Sequence, residues 1–177
     1  VQEISTPTPA EGEVLVRVAA SSLNALDWHF LTGTPWLIRL TGGLRRPKRT
    51  VLGADVAGTV VALGPGVTRW SVGDEVLGEC EGGGFGQFSA VSGEHLAAKP
   101  EGVSFEAAGA TPVAGLTAIQ ALRTHAEVQP GDRVLINGAA GGVGTFAVQI
   151  AKALGAEVTA VCSTRNVNIC LLYTSPS

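Results

Sequence analysis

The sequence predicts an α/β chain in which a β-rich, barrel-like domain precedes the first βαβ unit of an incomplete doubly wound domain. Three observations predict it. Apolar runs of period two, punctuated by Gly and Pro, dominate up to about Pro100; an Ala-rich helical stretch opens at Ser104; and residues 133–162 spell strand, glycine loop, helix, strand. With 45% apolar and 15% charged residues in 177, the chain has the composition of a packed core rather than of a disordered segment.

Glu13 to Ala19 alternates Val14, Val16 and Val18 with Leu15 and Arg17, the pattern of a half-buried strand. Val56 to Leu63 is a second β-branched run, stopped by Gly64-Pro65-Gly66. Beyond it, Ser104 is a candidate N-cap, Leu116, Ile119 and Leu122 recur at helical spacing, and Pro112 divides two helices. Gln129-Pro130-Gly131-Asp132 reads as a turn into the apolar strand RVLIN (133–137). Val143, Phe146, Ala147, Ile150, Ala151 and Leu154 then form one helical stripe, which Gly155 terminates before the strand EVTAVC (157–162).

Between the first strand of this unit and its helix lies Gly138-Ala139-Ala140-Gly141-Gly142-Val143-Gly144, a G-x-G-x-x-G loop with Ala139 in its first glycine position. A glycine loop alone also fits an ordinary tight turn. One that follows a strand and opens a helix is the arrangement that receives a dinucleotide diphosphate: Gly141 admits the phosphates, Gly144 lets helix meet strand, and the helix start offers free N–H groups. Where an NAD-binding chain would carry an acid for the ribose hydroxyls, this one has Cys162-Ser163-Thr164-Arg165. Two hydroxyls and a guanidinium suit a 2′-phosphate, so NADPH is the expected cofactor; a merely polar loop is the alternative.

A net charge of -3 and a pI near 5.6 argue against nucleic acid and anionic membrane surfaces as partners and favour a small-molecule substrate. No apolar run reaches the roughly 18 residues needed to span a bilayer, and no signal segment opens the chain, so a cytoplasmic location is expected. Cys80, Cys162 and Cys170 are odd in number and far apart; free thiols are expected.

Gly131-Asp132-Arg133-Val134-Leu135, then Ala139 to Gly144, then Gln149 and Lys152 resemble the signature of the quinone oxidoreductase/zeta-crystallin branch of the medium-chain dehydrogenases/reductases. The likeness continues through residues 51–79 and 16–33 and covers residues 1 to about 166. It implies a GroES-like catalytic domain over 1–100 with its first strand missing, the start of a Rossmann NAD(P)-binding domain over 101–166, and a homodimeric parent. Zinc-dependent members of the superfamily use Cys, a G-H-E segment and another Cys. Here Asn24, Gly53-Ala54-Asp55 and Pro112 to Leu116 stand in those places, and residues 78–88 lack the four cysteines of a structural zinc, so no metal is expected. Without a Lewis acid, hydride goes to a carbon that is already electron-poor, as in a quinone or an α,β-unsaturated carbonyl.

The resemblance places Asn24 and Asp27 in the active-site cleft, and these two with His29 are the candidate catalytic residues. Asn24 is the expected hydrogen-bond donor to the substrate oxygen as charge builds there. Asp27 is read more readily as a carboxylate that organises its loop, and a lone His29 as structural unless it supplies a proton. Trp36 is either a pocket wall or ordinary packing; Thr117 lies where the family has a residue near the nicotinamide, or bonds back to its own helical turn. The basic residues Arg45, Arg46, Lys48 and Arg49 read as a solvated loop.

Val1 runs almost directly into a strand, and NVNICLLYTSPS (166–177) shows no helical period; residues 167–177 are expected to be a non-native tail. A remnant of two strands and one helix should expose apolar surface, and the fragment is expected to be inactive. Against the reductase stand an alcohol dehydrogenase of the same superfamily and a nucleotide-binding protein without turnover.

Overall fold

The computed structural model describes residues 3–44 and 50–174. The basic cluster Arg45, Arg46, Lys48 and Arg49 lies outside the described residues. The elements in chain order are β1 (Glu13–Ala20), α1 (Ala25–Thr32), α2 (Ile38–Gly42), β2 (Asp55–Leu63), β3 (Glu75–Glu79), β4 (Phe88–Ser92) and β5 (Leu96–Ala98). They continue with α3 (Phe105–Gly109), α4 (Pro112–Ile119), β6 (Arg133–Asn137), α5 (Gly142–Ala153), β7 (Glu157–Val161) and α6 (Val167–Thr174). Two compact units result, Val1–Val113 and Ala114–Ser177.

In the first unit the strands form one antiparallel sheet in the order β4-β1-β2-β3-β5. The Val-rich runs of β1 and β2 lie at its centre. Their register slips twice, passing over Val61 and then Ala19, and such bulges bend and twist the pair. Val14, Val16, Val56, Val60, Val76, Val91 and Leu96 close a core around Trp70 and Cys80. Each buried valine contributes about 1.5–3 kcal/mol, and the Trp70 indole N–H reaches the Gly93 carbonyl at 2.8 Å, so its polar edge is not stranded.

Ser104 caps α3, its hydroxyl accepting from Ala107 N–H at 3.2 Å. The predicted break at Pro112 is present between α3 and α4. Because α3 packs on β1, β2 and β3, the first unit runs on to Val113 rather than stopping near residue 100.

In the second unit β6 and β7 pair in parallel, from Arg133 opposite Glu157 to Asn137 opposite Val161, with α5 as the crossover. The predicted helical faces need correction. Leu116 is 45% exposed, whereas Ala114, Ala118 and Leu122 are buried, so the inward row is the one spaced by four residues through small alanines rather than the one through Leu116. On α5, Val143 is exposed and Val148, outside the expected stripe, is buried with Gly144, Ala147 and Ala151. The strand β6 alternates: Ile136 is buried and Leu135 is 69% exposed, so it is covered on one face only. Residues 167–174 form a helix despite lacking a helical period. Val167, Ile169 and Leu171 are exposed and Cys170 is buried.

Candidate functional site

In the first unit the segment before α1 and the start of β2 converge on two buried carboxylates. Asp27 sits in the first turn of α1, 6% exposed. Its Oδ2 accepts Asn24 N–H at 2.9 Å and its Oδ1 accepts Gly53 N–H at 3.0 Å. The predicted loop-organising geometry is therefore present. Gly53 adopts φ 101, and a side chain there would run into the backbone of Gly84 and Phe85, so glycine is required where this loop closes.

Asp55, at the head of β2, is wholly buried. Its Oδ2 accepts from Asn24 Nδ2 at 2.8 Å and from the Ser22 hydroxyl, and its Oδ1 accepts Val113 N–H at 2.8 Å. Its backbone carbonyl takes the Ser21 hydroxyl at 2.7 Å. A buried carboxylate needs such partners, and this one has them on both oxygens. Asn24 Nδ2 also lies 3.2 Å from Ser22 Oγ. Sequence reasoning treats Asp55 only as a replaced metal ligand; an acid entering a β-branched run was the signal that it is held for a purpose.

Cys80 is buried nearby and donates to the Gly53 carbonyl at 3.1 Å. Burial pushes its thiol above the ordinary value, outweighing opposing hydrogen bonds from Gly82, Ser89 and Gly84, with a smaller upward contribution from Asp55. Among the described residues no three His, Cys, Asp or Glu side chains gather as a metal site would require.

His29 stands at the end of α1 with Nδ1 2.6 Å from the Thr34 carbonyl. A carbonyl only accepts, so Nδ1 carries a proton and Nε2 is left for any other partner. Trp36 is 67% exposed. A small pocket opens between Leu26, Asp27, Phe30 and Leu52.

In the second unit the glycine loop follows β6. Gly138 and Ala139 both donate N–H groups to the Val161 carbonyl at 3.0 Å, which ties the loop to the carboxyl end of β7. Ala139 is buried and Ala140 half-buried, while Gly141, Gly142 and Val143 are exposed at the first turn of α5, which no side chain caps. A Cβ on Gly144 would strike the Gly138 carbonyl and Ala139, whereas one on Gly142 would meet nothing within 4 Å. The loop is thus tight beneath and open above, the shape needed to admit a diphosphate. Ser163, Thr164 and Arg165 are all exposed in a turn after β7, closed by Asn166 N–H to the Ser163 carbonyl at 2.8 Å. Strand pairing puts this turn at the same end of the sheet as the glycine loop. Thr117 lies on the exposed side of α4.

Residues 10–120 match the family of the alcohol dehydrogenase GroES-like domain. The chain is 39% identical over 173 residues to the chloroplast envelope quinone oxidoreductase homolog of Arabidopsis thaliana, covering 93% of this chain and 51% of the relative. Among solved structures it is similar to CurK enoyl reductase, with a TM-score of 0.89 at 37% identity over 97% of this chain and 52% of that one. It is also similar to Escherichia coli quinone oxidoreductase complexed with NADPH, with a TM-score of 0.83 at 30% identity over 98% and 52%. The chain therefore spans about half the length of the relatives it matches. On the match over residues 10–120 and the likeness to these relatives, the chain belongs to the alcohol dehydrogenase GroES-like domain family, within the medium-chain dehydrogenase/reductase superfamily.

Proposed function

We propose that the chain is the catalytic-domain and cofactor-cradle portion of an NADPH-dependent oxidoreductase that reduces quinones or other α,β-unsaturated carbonyl compounds without zinc. One observation carries the reading: the open first turn of α5 above Gly144 shares a sheet end with Ser163, Thr164 and Arg165, where no carboxylate stands. Backbone N–H groups from Gly142 to Gly144 would hold the diphosphate, the Gly141 N–H being taken by the Gly138 carbonyl at 2.9 Å, and the two hydroxyls and the guanidinium would hold the 2′-phosphate. The cofactor, when bound, supplies the hydride.

The donor set of the first unit supports the zinc-free part. Asp55 already accepts from three protein donors and Cys80 donates its thiol to a carbonyl, so a metal held here would have to displace these bonds. Without a Lewis acid, a substrate whose carbon is already electron-poor is the one that accepts hydride. The printed names of the quinone oxidoreductase and enoyl reductase relatives agree with that class. A cytoplasmic, homodimeric parent goes with this reading; no helix among the described residues is long and apolar enough to cross a membrane.

Titrating the chain with NADPH and with NADH tests the proposal. Charge-assisted bonds to the 2′-phosphate are worth about 1.5–3 kcal/mol, so NADPH should bind roughly tenfold to a hundredfold more tightly. Equal affinities, or a preference for NADH, would overturn the cofactor assignment. Oxidation of NADPH across quinones and enones by the full-length parent tests the substrate class, and turnover confined to simple ketones and alcohols would refute it.

A further inference from the structure

We infer that Asp55 is a positioning residue that joins, through hydrogen bonds to one buried carboxylate, the three segments that a metal would join by coordination. Zinc-dependent members of the superfamily place their ligands where this chain has Asn24, Gly53-Ala54-Asp55 and Pro112 to Leu116. Those same three places meet at Asp55. Asn24 Nδ2 donates to its Oδ2 at 2.8 Å, and Val113 N–H donates to its Oδ1 at 2.8 Å. The Ser22 hydroxyl adds a second bond to Oδ2, and the Ser21 hydroxyl reaches the Asp55 backbone carbonyl at 2.7 Å.

Asn24 and Val113 lie 31 and 58 positions from Asp55, so the bonds tie two distant stretches to the head of β2. All of these residues belong to the first unit, Val1–Val113. Asp55 is itself a fixed point: it is wholly buried, and its backbone pairs with Glu79 inside the sheet. Val113 is the second residue of α4, where an N–H has no acceptor within its own helix. The carboxylate satisfies that group and sets a negative charge at the positive end of the helix.

A metal and a carboxylate gather different partners. Zinc draws in thiolates, imidazoles and carboxylates, whereas an ionised carboxylate draws in N–H and O–H donors, which are what Ser22, Asn24 and Val113 present. The absence of Cys and His at these places and the presence of donors aimed at Asp55 therefore belong together. What the carboxylate does not supply is positive charge, in keeping with a substrate that needs no Lewis acid. As part of a reduction site this role rests on the function proposed above; the joining itself does not.

The test uses the full 15N-labelled chain without nucleotide. The Val113 amide should exchange its hydrogen at least about tenfold more slowly than that of Val143, which holds the same place in α5, where no side chain caps the helix. Asp55→Ala should remove that protection while the amides of β1 and β3 keep theirs. Asp55→Asn fills the same space but turns an N–H donor toward the donors of Ser22 and Asn24. In urea, followed by tryptophan fluorescence, it should move the unfolding equilibrium roughly tenfold toward the unfolded chain. The exchanged pair Asn24→Asp/Asp55→Asn again sets donor against acceptor and should recover at least about half of the lost urea midpoint. Zinc ions added to the unmodified chain should leave the Asn24 and Val113 signals in place. The proposal is overturned by a Val113 amide that exchanges as fast as Val143 or by an Asp55→Asn chain as stable as the unmodified one. An exchanged pair no better than Asp55→Asn, or zinc that shifts both signals, overturns it equally. Should the Asp55 variants not fold, exchange at Val113 and the zinc titration in the unmodified chain still decide. None of these measurements contains a cofactor, so failure to bind NADPH counts against the functional reading alone.

Discussion

Gly53 donates its backbone N–H to Asp27 Oδ1 at 3.0 Å, joining the first turn of α1 to the residues that lead into β2. The other oxygen of Asp27 holds Asn24, so one buried side chain sets the spacing between the two segments that form the candidate site. Asp27→Ala leaves two N–H groups without acceptors and should cost about 3 kcal/mol, and Asp27→Asn about half of that. Trp28, Trp36 and Trp70 all lie in the first unit, so urea unfolding followed by tryptophan fluorescence reads this unit directly. A loss below about 0.5 kcal/mol for Asp27→Ala would show that the carboxylate does not organise the site.

The glycines of the loop divide by what surrounds them. Gly144→Ala drives a methyl into the Gly138 carbonyl and Ala139, backbone atoms that cannot swing away, and should cost about 1–3 kcal/mol. Gly142→Ala meets open space and should leave thermal unfolding unchanged, yet weaken NADPH roughly tenfold by standing where the diphosphate must approach. Circular dichroism melts and NADPH titration separate the two effects. An unchanged melt for Gly144→Ala would contradict the packing described.

Arg165 is exposed beside Ser163 and Thr164, with no fold to support, so its removal should act on ligand affinity alone. Arg165→Ala should weaken NADPH by roughly tenfold or more and leave NADH unaffected. Ser163→Asp, which places a carboxylate where the ribose would lie, should shift preference toward NADH. Fluorescence titration with both nucleotides distinguishes these outcomes from a general loss of binding.

The Cys80 thiol, raised first by burial, gives the first unit an alkaline limit. Between the ordinary thiol value near 8.5 and its higher folded value, the unfolded chain has released a proton that the folded chain keeps. Stability is therefore unaffected below that window and falls as pH rises through it. Urea midpoints from pH 7 to about 10 should decline less steeply for Cys80→Ala than for the unmodified chain. Parallel slopes would place the alkaline loss elsewhere.

Much of the fold was legible because its signals are local. Period-two alternation marked β1, apolar runs bounded by turn residues marked β2, β6 and β7, the Ser104 cap and Pro112 marked two helices, and the strand-loop-helix order marked the cradle. The faces of α4 and α5 were less legible: one turns Ala114 and Ala118 inward in place of Leu116, and the other buries Val148 outside the expected stripe.

By itself, then, the order of residues marked β1, β2, β6, β7 and the helices that begin after Ser104, at Pro112 and at Gly142, since backbone preference and capping act over a few residues. Only the tertiary structure decided which groups surround Asp55. Ser22 and Asn24 meet Asp55 across 33 and 31 positions, and Val113 meets it across 58, so no spacing rule could pair them. The reason is that a buried carboxylate must satisfy both its oxygens from whatever donors the fold brings near, and those donors are chosen by packing.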